Sequence, residues 1–250
     1  MKRLIVTADD FGLTEGVVAG IVAAHRDGIV TATSMMVGAP AIDAASDYAR
    51  KHTSLALGLH FVLTFGRPTG PTEPLGDILD DNGRFRRLEE GVHAQLTPSR
   101  VLSELEAQLN AFESRVGRPP THIDGHHHVH ALPGVLPAVI EHAHRLGAPV
   151  RAPDDATRDR LRLAGVATSD RFVDSFYGDG QVSSDALVSR LRAIPDGTSE
   201  LMCHPAREDT VLKTLSSYCR PRYEELRALT DPAVRAAVDD ESIELVPTVR

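Results

Sequence analysis

RLIVTADDFG, residues 3–12, begins as a short apolar run and ends in two adjacent aspartates followed by Phe-Gly. The run from Arg3 to Ala8 has the composition of a buried β-strand. An open nucleotide-binding α/β fold usually has a glycine-rich loop directly after its first strand, because the backbone N–H groups of that loop bind phosphate. Here Asp9 and Asp10 follow the strand instead, and two carboxylates repel phosphate. The segment therefore predicts a first strand with an acidic carboxyl end, and it disfavours a nucleotide-binding fold.

Short apolar segments alternate with amphipathic segments along the rest of the chain. TEGVVAGIVAAHRDG (14–28) has helical spacing, with Thr14 as its N-cap and Gly28 at its C-terminal end. Further strands are predicted in TATSMMVG (31–38), SLALGLHF (54–61), THID (121–124), APVRAP (148–153), DRFVDSF (170–176), SELMCHP (199–205) and IELV (243–246). Further helices are predicted in AIDAASDYARKH (41–52), TPSRVLSELEAQLNAFESRVG (97–117), LPGVLPAVIEHAHRLG (132–147), SSDALVSRLRAI (183–194) and YEELRALTD (223–231).

This alternation of roughly seven or eight strand–helix units predicts an α/β fold with a parallel sheet and helices outside it. Two architectures fit the pattern: a closed or distorted (β/α) barrel, and an open doubly wound sheet. The chain has 250 residues, a length at which such barrels are commonly a single domain. Residues 63–97 interrupt the alternation, because their glycine, proline and aspartate content predicts a long loop excursion. This segment either closes over a substrate or builds a homodimer contact.

The overall composition argues against several classes of protein. The formal net charge is −8 and no basic stripe is present, so neither nucleic acid nor an anionic membrane surface is an expected partner. No apolar stretch approaches the roughly 18–20 residues of a membrane helix, and the N-terminal apolar run is too short for a secretion signal. The two cysteines, Cys203 and Cys219, form no disulfide framework. We therefore expect a cytoplasmic protein.

Polar side chains follow several of the predicted strands, at the point where each strand ends. These residues are Asp9 and Asp10 after the first strand, His60 after the third, and Arg151 and His204 at later ones. The carboxyl ends of parallel strands gather at one edge of a sheet or at one mouth of a barrel. We therefore expect these side chains to meet, and a turning backbone at the strand end lets both aspartates reach the same site.

THIDGHHHVH, residues 121–130, contains five histidines and one aspartate. Strict strand alternation would put His127 and Val129 on one side, although Gly125 can break this phase. The opposite side would then hold His122, Asp124, His126, His128 and His130. Two histidines and one aspartate make a three-ligand site with open positions, which is typical of a catalytic divalent metal. Such a metal activates water and polarises a carbonyl, so these residues predict hydrolysis of an amide or an ester.

Three other interpretations of these residues stay open at this point. Cys203 could be a nucleophile, although its apolar neighbours predict a buried strand end. A barrel with two acid/base groups could be a metal-dependent sugar isomerase or epimerase. A metal-storage or metal-sensing protein could use the histidine run, and it would bind several ions per chain. The adjacent aspartates favour catalysis, because storage needs no free base.

Several longer segments span nearly the whole chain: ADDFGLTEG, GIVTATSMMV, LALGLHFVLTFGRP, GRPPTHIDGHHHVH, DSFYGD, LMCHPA and YCRPRYEELRALTD. They resemble motifs of the YdjC-like carbohydrate deacetylases, and most of all those of bacterial chitooligosaccharide deacetylases. The resemblance implies a distorted or incomplete TIM-like (β/α) barrel as a single domain over residues 1–250. It also implies hydrolytic removal of an N-acetyl group from a small oligosaccharide such as N,N′-diacetylchitobiose. Another acetylated sugar, such as a hopanoid-linked N-acetylglucosamine, is an alternative substrate within the same family.

The resemblance further implies one divalent metal ion, Mg²⁺ or Zn²⁺, and a role for each residue that holds it. Asp10, His60 and His126 would be the metal ligands. Asp9 would be the catalytic base, and the assignment of ligand and base to the two aspartates could be reversed.

A looser similarity to polysaccharide deacetylases suggests two more catalytic residues. Arg151 would lie near the base, and His204 would be the general acid that protonates the leaving amine. The residues expected to contact the substrate are His128, His130, Phe61 and Tyr177.

Overall fold

The computed structural model of the chain describes residues 1–88 and 91–249. Its strands are β1 (Lys2–Phe11), β2 (Ala32–Met35), β3 (Ala56–Phe61), β4 (Ile123–Gly125), β5 (Arg171–Val173), β6 (Gly197–Cys203) and β7 (Glu244–Leu245). They form one sheet in the order β4-β3-β2-β1-β6-β5, and β7 also pairs with β1. The strand pairs of this sheet are parallel.

The sheet curls into a half-barrel with helices around it, which confirms the predicted distorted or incomplete TIM-like barrel. The predicted strand at 148–153 was wrong in its extent, since this segment contributes a single parallel bridge between Val150 and Ile123. Pro149 and Pro153 flank the bridge and have no N–H to donate to a strand ladder.

The helices of the described residues connect successive strands. They are α1 (Glu15–Asp27), α2 (Ile42–Lys51), α3 (Pro98–Val116), α4 (Leu136–Leu146), α5 (Asp155–Leu163), α6 (Ser184–Arg192), α7 (Leu212–Leu215), α8 (Arg220–Leu229) and α9 (Pro232–Asp240). The predicted N-cap of α1 is confirmed, because the Thr14 hydroxyl accepts a hydrogen bond from the Val17 N–H. In the described part of the chain, no helix combines the length and the hydrophobicity of a membrane span.

Side chains of β1 alternate between an apolar face and a largely polar one. Leu4, Val6 and Ala8 are buried in the main hydrophobic core. The intervening Thr7 donates its hydroxyl to Glu200, and the next residue on that face is Asp9. The lumen of the half-barrel therefore carries polar and charged groups toward the carboxyl end of the strand.

Both aspartates reach the same site because β1 is irregular at its end. Pairing between β1 and β2 shifts register between Ala8 and Phe11, and Asp10 has a φ of 69°. A bulge of this kind re-aims a side chain, and a left-handed φ is uncommon for a residue with a Cβ atom. The expectation that a turning backbone would bring Asp9 and Asp10 together is confirmed.

The segment at 63–97 follows β3 and has little regular structure of its own. Its described parts include two short 3-10 helices, Gly76–Ile78 and Val92–Gln95, while residues 89 and 90 lie outside the described residues. Glu104 of α3 holds the start of the segment, because its carboxylate accepts hydrogen bonds from the N–H groups of Thr69 and Gly70.

Candidate metal centre and active site

The carboxyl ends of three strands of the sheet bring four ionisable side chains together. Asp9 and Asp10 come from β1, His60 comes from β3, and Asp124 comes from β4. Each of these residues is at most 2% exposed. Charged groups this deeply buried require partners, so their contacts show how the site is built.

The guanidinium of Arg151 lies at the centre of a carboxylate cluster. Its Nη1 and Nη2 donate to the two oxygens of Asp9 over 2.7 and 2.8 Å. Nη2 also lies 2.9 Å from Asp124 Oδ2, and Nε donates to Glu200 Oε1 over 2.8 Å. Burial alone would raise the pKa of Asp9, but the charge and the hydrogen bonds of Arg151, together with the charge of His60, outweigh burial and lower the pKa. Asp9 is therefore ionised at neutral pH and fixed in orientation, and Arg151 lies beside it as predicted.

The second carboxylate, Asp10, faces two imidazoles with one of its oxygens. Asp10 Oδ1 lies 3.3 Å from His60 Nε2 and 3.0 Å from His126 Nδ1. Despite these short distances, Oδ1 is buried and has no hydrogen bond of suitable geometry from any described residue. Three potential ligand atoms thus converge without satisfying one another, and the contacts resemble those between ligands that share a cation.

The spacing of these atoms fits a divalent metal ion. Ligand atoms at about 2.0–2.2 Å from one ion lie roughly 3.0–3.5 Å apart at octahedral or tetrahedral angles. His60 Nδ1 lies 2.7 Å from Asp124 Oδ1, and a carboxylate can only accept in that bond. Nε2 of His60 is therefore the nitrogen available to a metal, in the carboxylate–histidine arrangement common around bound metals. The set of one carboxylate and two imidazoles can hold such an ion.

A second group, Asp9, His60 and Asp124, is also compact enough to surround an ion. Its oxygens are already engaged, however. Both oxygens of Asp9 accept from Arg151, and Asp124 Oδ2 accepts from the Ser34 hydroxyl over 2.8 Å. Asp10, with its unsatisfied Oδ1, therefore belongs to the better candidate site.

The histidine run does not continue the strand that precedes it. β4 ends at Gly125, and His126–Ala131 forms a 3-10 turn in which His127 and His128 have φ values of 54° and 55°. The prediction that alternation places five members of the run on one side was therefore wrong. The turn separates the histidines, and His126 is the one whose ring nitrogen lies next to Asp10.

The four predicted substrate contacts lie in different surroundings. Phe61 is fully buried in the hydrophobic core, and His130 is fully buried with its Nε2 3.1 Å from the Arg151 carbonyl oxygen. Neither side chain offers a surface to a sugar. His128 is half-buried near the site, and Tyr177 is 47% exposed.

Tyr177 belongs to an aromatic wall that also includes Tyr218 and His204. The Tyr177 ring stacks on Tyr218 at a centroid distance of 4.2 Å and meets the His204 ring edge-on at 5.4 Å. The Tyr218 hydroxyl donates to Glu225 over 2.6 Å and accepts from the Gly178 N–H over 3.0 Å. The exposed ring of Tyr177 is thus backed by a ring that hydrogen bonds hold in place.

His204 connects this wall to the carboxylates. Its Nε2 lies 4.0 Å from Asp9 Oδ2, and its backbone N–H donates to Glu225. Burial, reinforced by the charge of Arg222, lowers the pKa of His204 to about 3, so the imidazole is neutral at pH 7. Burial also raises the pKa of the adjacent Cys203 thiol well above its usual range, which argues against a cysteine nucleophile.

Two residues of α8 belong to the site without having been assigned a role from the sequence. Arg222 donates to Asp10 Oδ2 over 2.6 Å, and Glu225 binds both His204 and Tyr218. They are three residues apart and so share one helix face. The motif YCRPRYEELRALTD contains both, but charges on an amphipathic helix normally face solvent, and no local signal distinguished these two.

Comparison with known proteins places this site in a family. The profile of the YdjC-like protein family matches residues 3–240, which include every residue of this site. The chain belongs to the YdjC-like family. The resemblance found in the sequence motifs is thereby confirmed.

Individual relatives match the YdjC-like chain from end to end. A carbohydrate deacetylase of Geobacillus stearothermophilus is 42% identical over 98% of this chain and 96% of its own length. A chitooligosaccharide deacetylase of Yersinia enterocolitica is 39% identical over 95% of this chain and 94% of its own length. A solved structure from Enterococcus faecalis, of a protein linked to cellobiose-phosphate cleavage, has a TM-score of 0.90 at 34% identity and covers 98% of this chain and 97% of its own.

Proposed function

We propose that this YdjC-like protein is a metal-dependent hydrolase that removes an N-acetyl group from chitooligosaccharides such as N,N′-diacetylchitobiose. The observation that carries the proposal is the approach of Asp10 Oδ1 to His60 and His126, at 3.3 and 3.0 Å, beside an ionised Asp9. The two deacetylase relatives, at 42% and 39% identity, support a carbohydrate deacetylase. The reaction consumes water and an acetamide, and it yields acetate and a glucosaminyl amine.

Asp10, His60 and His126 would hold one divalent ion. When bound, this ion supplies a Lewis acid for the acetamide carbonyl and lowers the pKa of a water molecule. Imidazole nitrogen suits Zn²⁺, whereas Mg²⁺ prefers oxygen donors, so the two histidines favour zinc over magnesium.

Asp9 is the proposed catalytic base. Its two hydrogen bonds to Arg151 fix the carboxylate and hold it in the ionised form that can take a proton from water. The reverse assignment, with Asp10 as the base and Asp9 as the metal ligand, is less suitable. Asp10 is the carboxylate that has an oxygen without a hydrogen bond from any described residue.

His204 is the proposed general acid for the leaving amine. The depressed pKa of this imidazole means that it is neutral before the reaction begins, so it has to gain a proton during turnover. Asp9 is the proposed source: its Oδ2 lies 4.0 Å from His204 Nε2, and the transfer requires this contact to shorten in the substrate complex. Residues of the chain can thus move the proton taken from water toward the amine nitrogen.

The aromatic wall is the proposed binding surface for the sugar ring. Pyranose rings present C–H groups that pack on aromatic faces, and Tyr177 combines an exposed ring with a fixed backing in Tyr218. The wall adjoins His204, so it would hold the sugar that carries the departing nitrogen. His128 is half-buried nearby and stays a proposed substrate contact. Phe61 and His130 are fully buried, which argues against contact between these side chains and a substrate.

Two finer proposals concern the setting of the enzyme. The two free cysteines support a cytoplasmic location. The chitooligosaccharide deacetylase relative supports a role in breaking down chitin fragments. The segment at 63–97 stays a candidate for a substrate lid or a homodimer contact.

Product analysis tests the proposed reaction. The zinc-loaded enzyme should release acetate from N,N′-diacetylchitobiose and leave a free amine detectable by mass spectrometry. A rearranged sugar with its acetyl group intact would instead indicate the isomerase or epimerase. If acetate is released only from a different N-acetylglucosamine conjugate, the proposed deacetylation is correct but the proposed chitooligosaccharide substrate is wrong.

A further inference from the structure

Arg222 of α8 is buried directly behind the proposed metal site. Its Nη2 donates to Asp10 Oδ2 over 2.6 Å, and its Nε donates to the Tyr218 carbonyl oxygen over 2.8 Å. The carbonyl oxygen of Arg222 itself accepts from the Ala206 N–H over 3.1 Å, which ties the helix to the segment after His204. The residue is 3% exposed, so Asp10 faces a fixed charge that water does not screen.

This contact gives the two oxygens of Asp10 different environments. Oδ2 is engaged by Arg222, whereas Oδ1 faces His60 and His126 and has no hydrogen bond from a described residue. A free carboxylate can bind a cation through one oxygen or through both. The positive guanidinium beside Oδ2 repels a cation on that side, so Asp10 offers Oδ1 as the favoured ligand atom.

We infer that Arg222 is a positioning residue that limits Asp10 to one-oxygen ligation and thereby keeps a coordination position open. This inference rests on the function proposed above, because the open position serves the water and the acetamide of that reaction. The arrangement also weakens metal binding, since a buried positive charge next to a ligand repels a divalent ion. Arg222 therefore favours turnover at the expense of affinity.

A merely structural role for Arg222 predicts the opposite pattern. If the guanidinium only neutralised Asp10 for folding, its loss would leave a misplaced carboxylate and weaken metal binding together with stability. The positioning role predicts that loss of Arg222 tightens metal binding while turnover falls. Metal affinity and activity then change in opposite directions, which separates the two roles.

The test is a titration of the metal-stripped full chain with Co²⁺, whose visible absorption reports its coordination number. The variants are Arg222→Met, which removes the charge, and Arg222→Lys, which keeps it. Arg115→Met is the matched control, because Arg115 pairs with Asp43 on the surface, away from the site. Acetate release at saturating Co²⁺ is measured alongside the dissociation constant.

Arg222→Met should bind Co²⁺ about tenfold or more tightly than wild type and show the weaker visible absorption of a higher coordination number. Its kcat should fall about tenfold or more, while Arg115→Met matches wild type. Weaker or unchanged Co²⁺ binding by Arg222→Met, or an unchanged kcat, overturns the inference.

If Arg222→Met does not fold, the Co²⁺ affinity and spectrum of Arg222→Lys test the positioning role instead. This variant should bind Co²⁺ within about threefold of wild type and keep the wild-type spectrum, because the charge beside Asp10 persists. More than tenfold weaker binding overturns the inference. Absence of both Co²⁺ binding and acetate release in the wild type would instead contradict the proposed function.

Discussion

His60 is held by Asp124 from the side opposite the proposed metal position. Its Nδ1 donates to Asp124 Oδ1 over 2.7 Å, while its Nε2 lies 3.3 Å from Asp10 Oδ1. Asp124 is itself fixed by the Ser34 hydroxyl and lies 2.9 Å from Arg151. The imidazole is therefore aimed by the protein before any ion binds, which is how a preorganised ligand retains its geometry.

Metal binding should release about one proton at pH 7. Burial alone would lower the pKa of His60, but the carboxylates of Asp124 and Asp10 outweigh burial and raise it to about 10. In the metal-stripped enzyme His60 is therefore protonated at pH 7, and Nε2 must lose its proton before it can bind a metal. Zn²⁺ titration calorimetry in buffers of different ionisation enthalpy should give about one proton released, with affinity rising from pH 6 to 8. A proton count of zero would contradict this account of His60.

Asp9→Asn should strongly reduce turnover without removing the metal. The substitution keeps the size of the side chain but eliminates the group that takes the proton, a loss of roughly 100- to 10,000-fold in kcat. Metal content by mass spectrometry and acetate release are the two measurements. Asp27→Asn, on the exposed end of α1, is the control and should retain wild-type values of both. Normal turnover by Asp9→Asn would show that Asp9 is not the base.

Tyr177→Ala should weaken substrate binding more than it slows the reaction. Loss of the exposed ring removes a stacking surface worth about 0.5–1.5 kcal/mol, so KM for diacetylchitobiose should rise about 2- to 12-fold with little change in kcat. Tyr177→Phe keeps the ring and should behave like wild type. Equal KM values for all three proteins would remove Tyr177 from the substrate site.

The stability of the metal-stripped protein should decrease as pH falls below about 6.5, partly because of His130. Burial, helped by the nearby His128 charge, lowers the pKa of His130 from 6.5 to about 3. The unfolded chain then takes up a proton near pH 6.5 that the folded chain does not accept until about pH 3. This difference removes at most about 5 kcal/mol from the free energy of unfolding across that window.

Urea unfolding at several pH values measures this dependence. His130→Gln should flatten the slope between pH 6.5 and pH 4, whereas the exposed His144→Gln should leave it unchanged. An unaltered slope in His130→Gln would mean that His130 is not the group responsible.

Much of the site could be predicted because parallel strands bring distant residues together in a regular way. Asp9 and Asp10 end β1, His60 ends β3, and these strands flank β2 in the sheet. The structure brings the three side chains together, as the apolar run before each of them indicated. Alternation also explains why Phe61, expected to contact the substrate, does not face the site. Phe61 follows His60 directly in β3, so its side chain points to the opposite face of the strand and into the core.

Other parts depend on backbone geometry and tertiary packing that no local pattern reveals. The turn at His127 and His128 breaks the strand phase with two left-handed residues, which a histidine-rich sequence does not announce. Arg222 reaches Asp10 across 212 positions of the chain. Its sequence neighbourhood is that of an ordinary amphipathic helix, so only the packing of α8 against the barrel mouth shows its role.

The most direct test of the central claim is acetate release from N,N′-diacetylchitobiose by the metal-stripped enzyme as Zn²⁺ is added back. Wild type should release no acetate without metal and should regain full activity at about one ion per chain. His126→Ala, which removes a proposed ligand, should bind Zn²⁺ weakly and stay inactive at that ratio. Equal acetate release with and without metal, or full activity of His126→Ala with one equivalent of Zn²⁺, would contradict a metal centre formed by Asp10, His60 and His126.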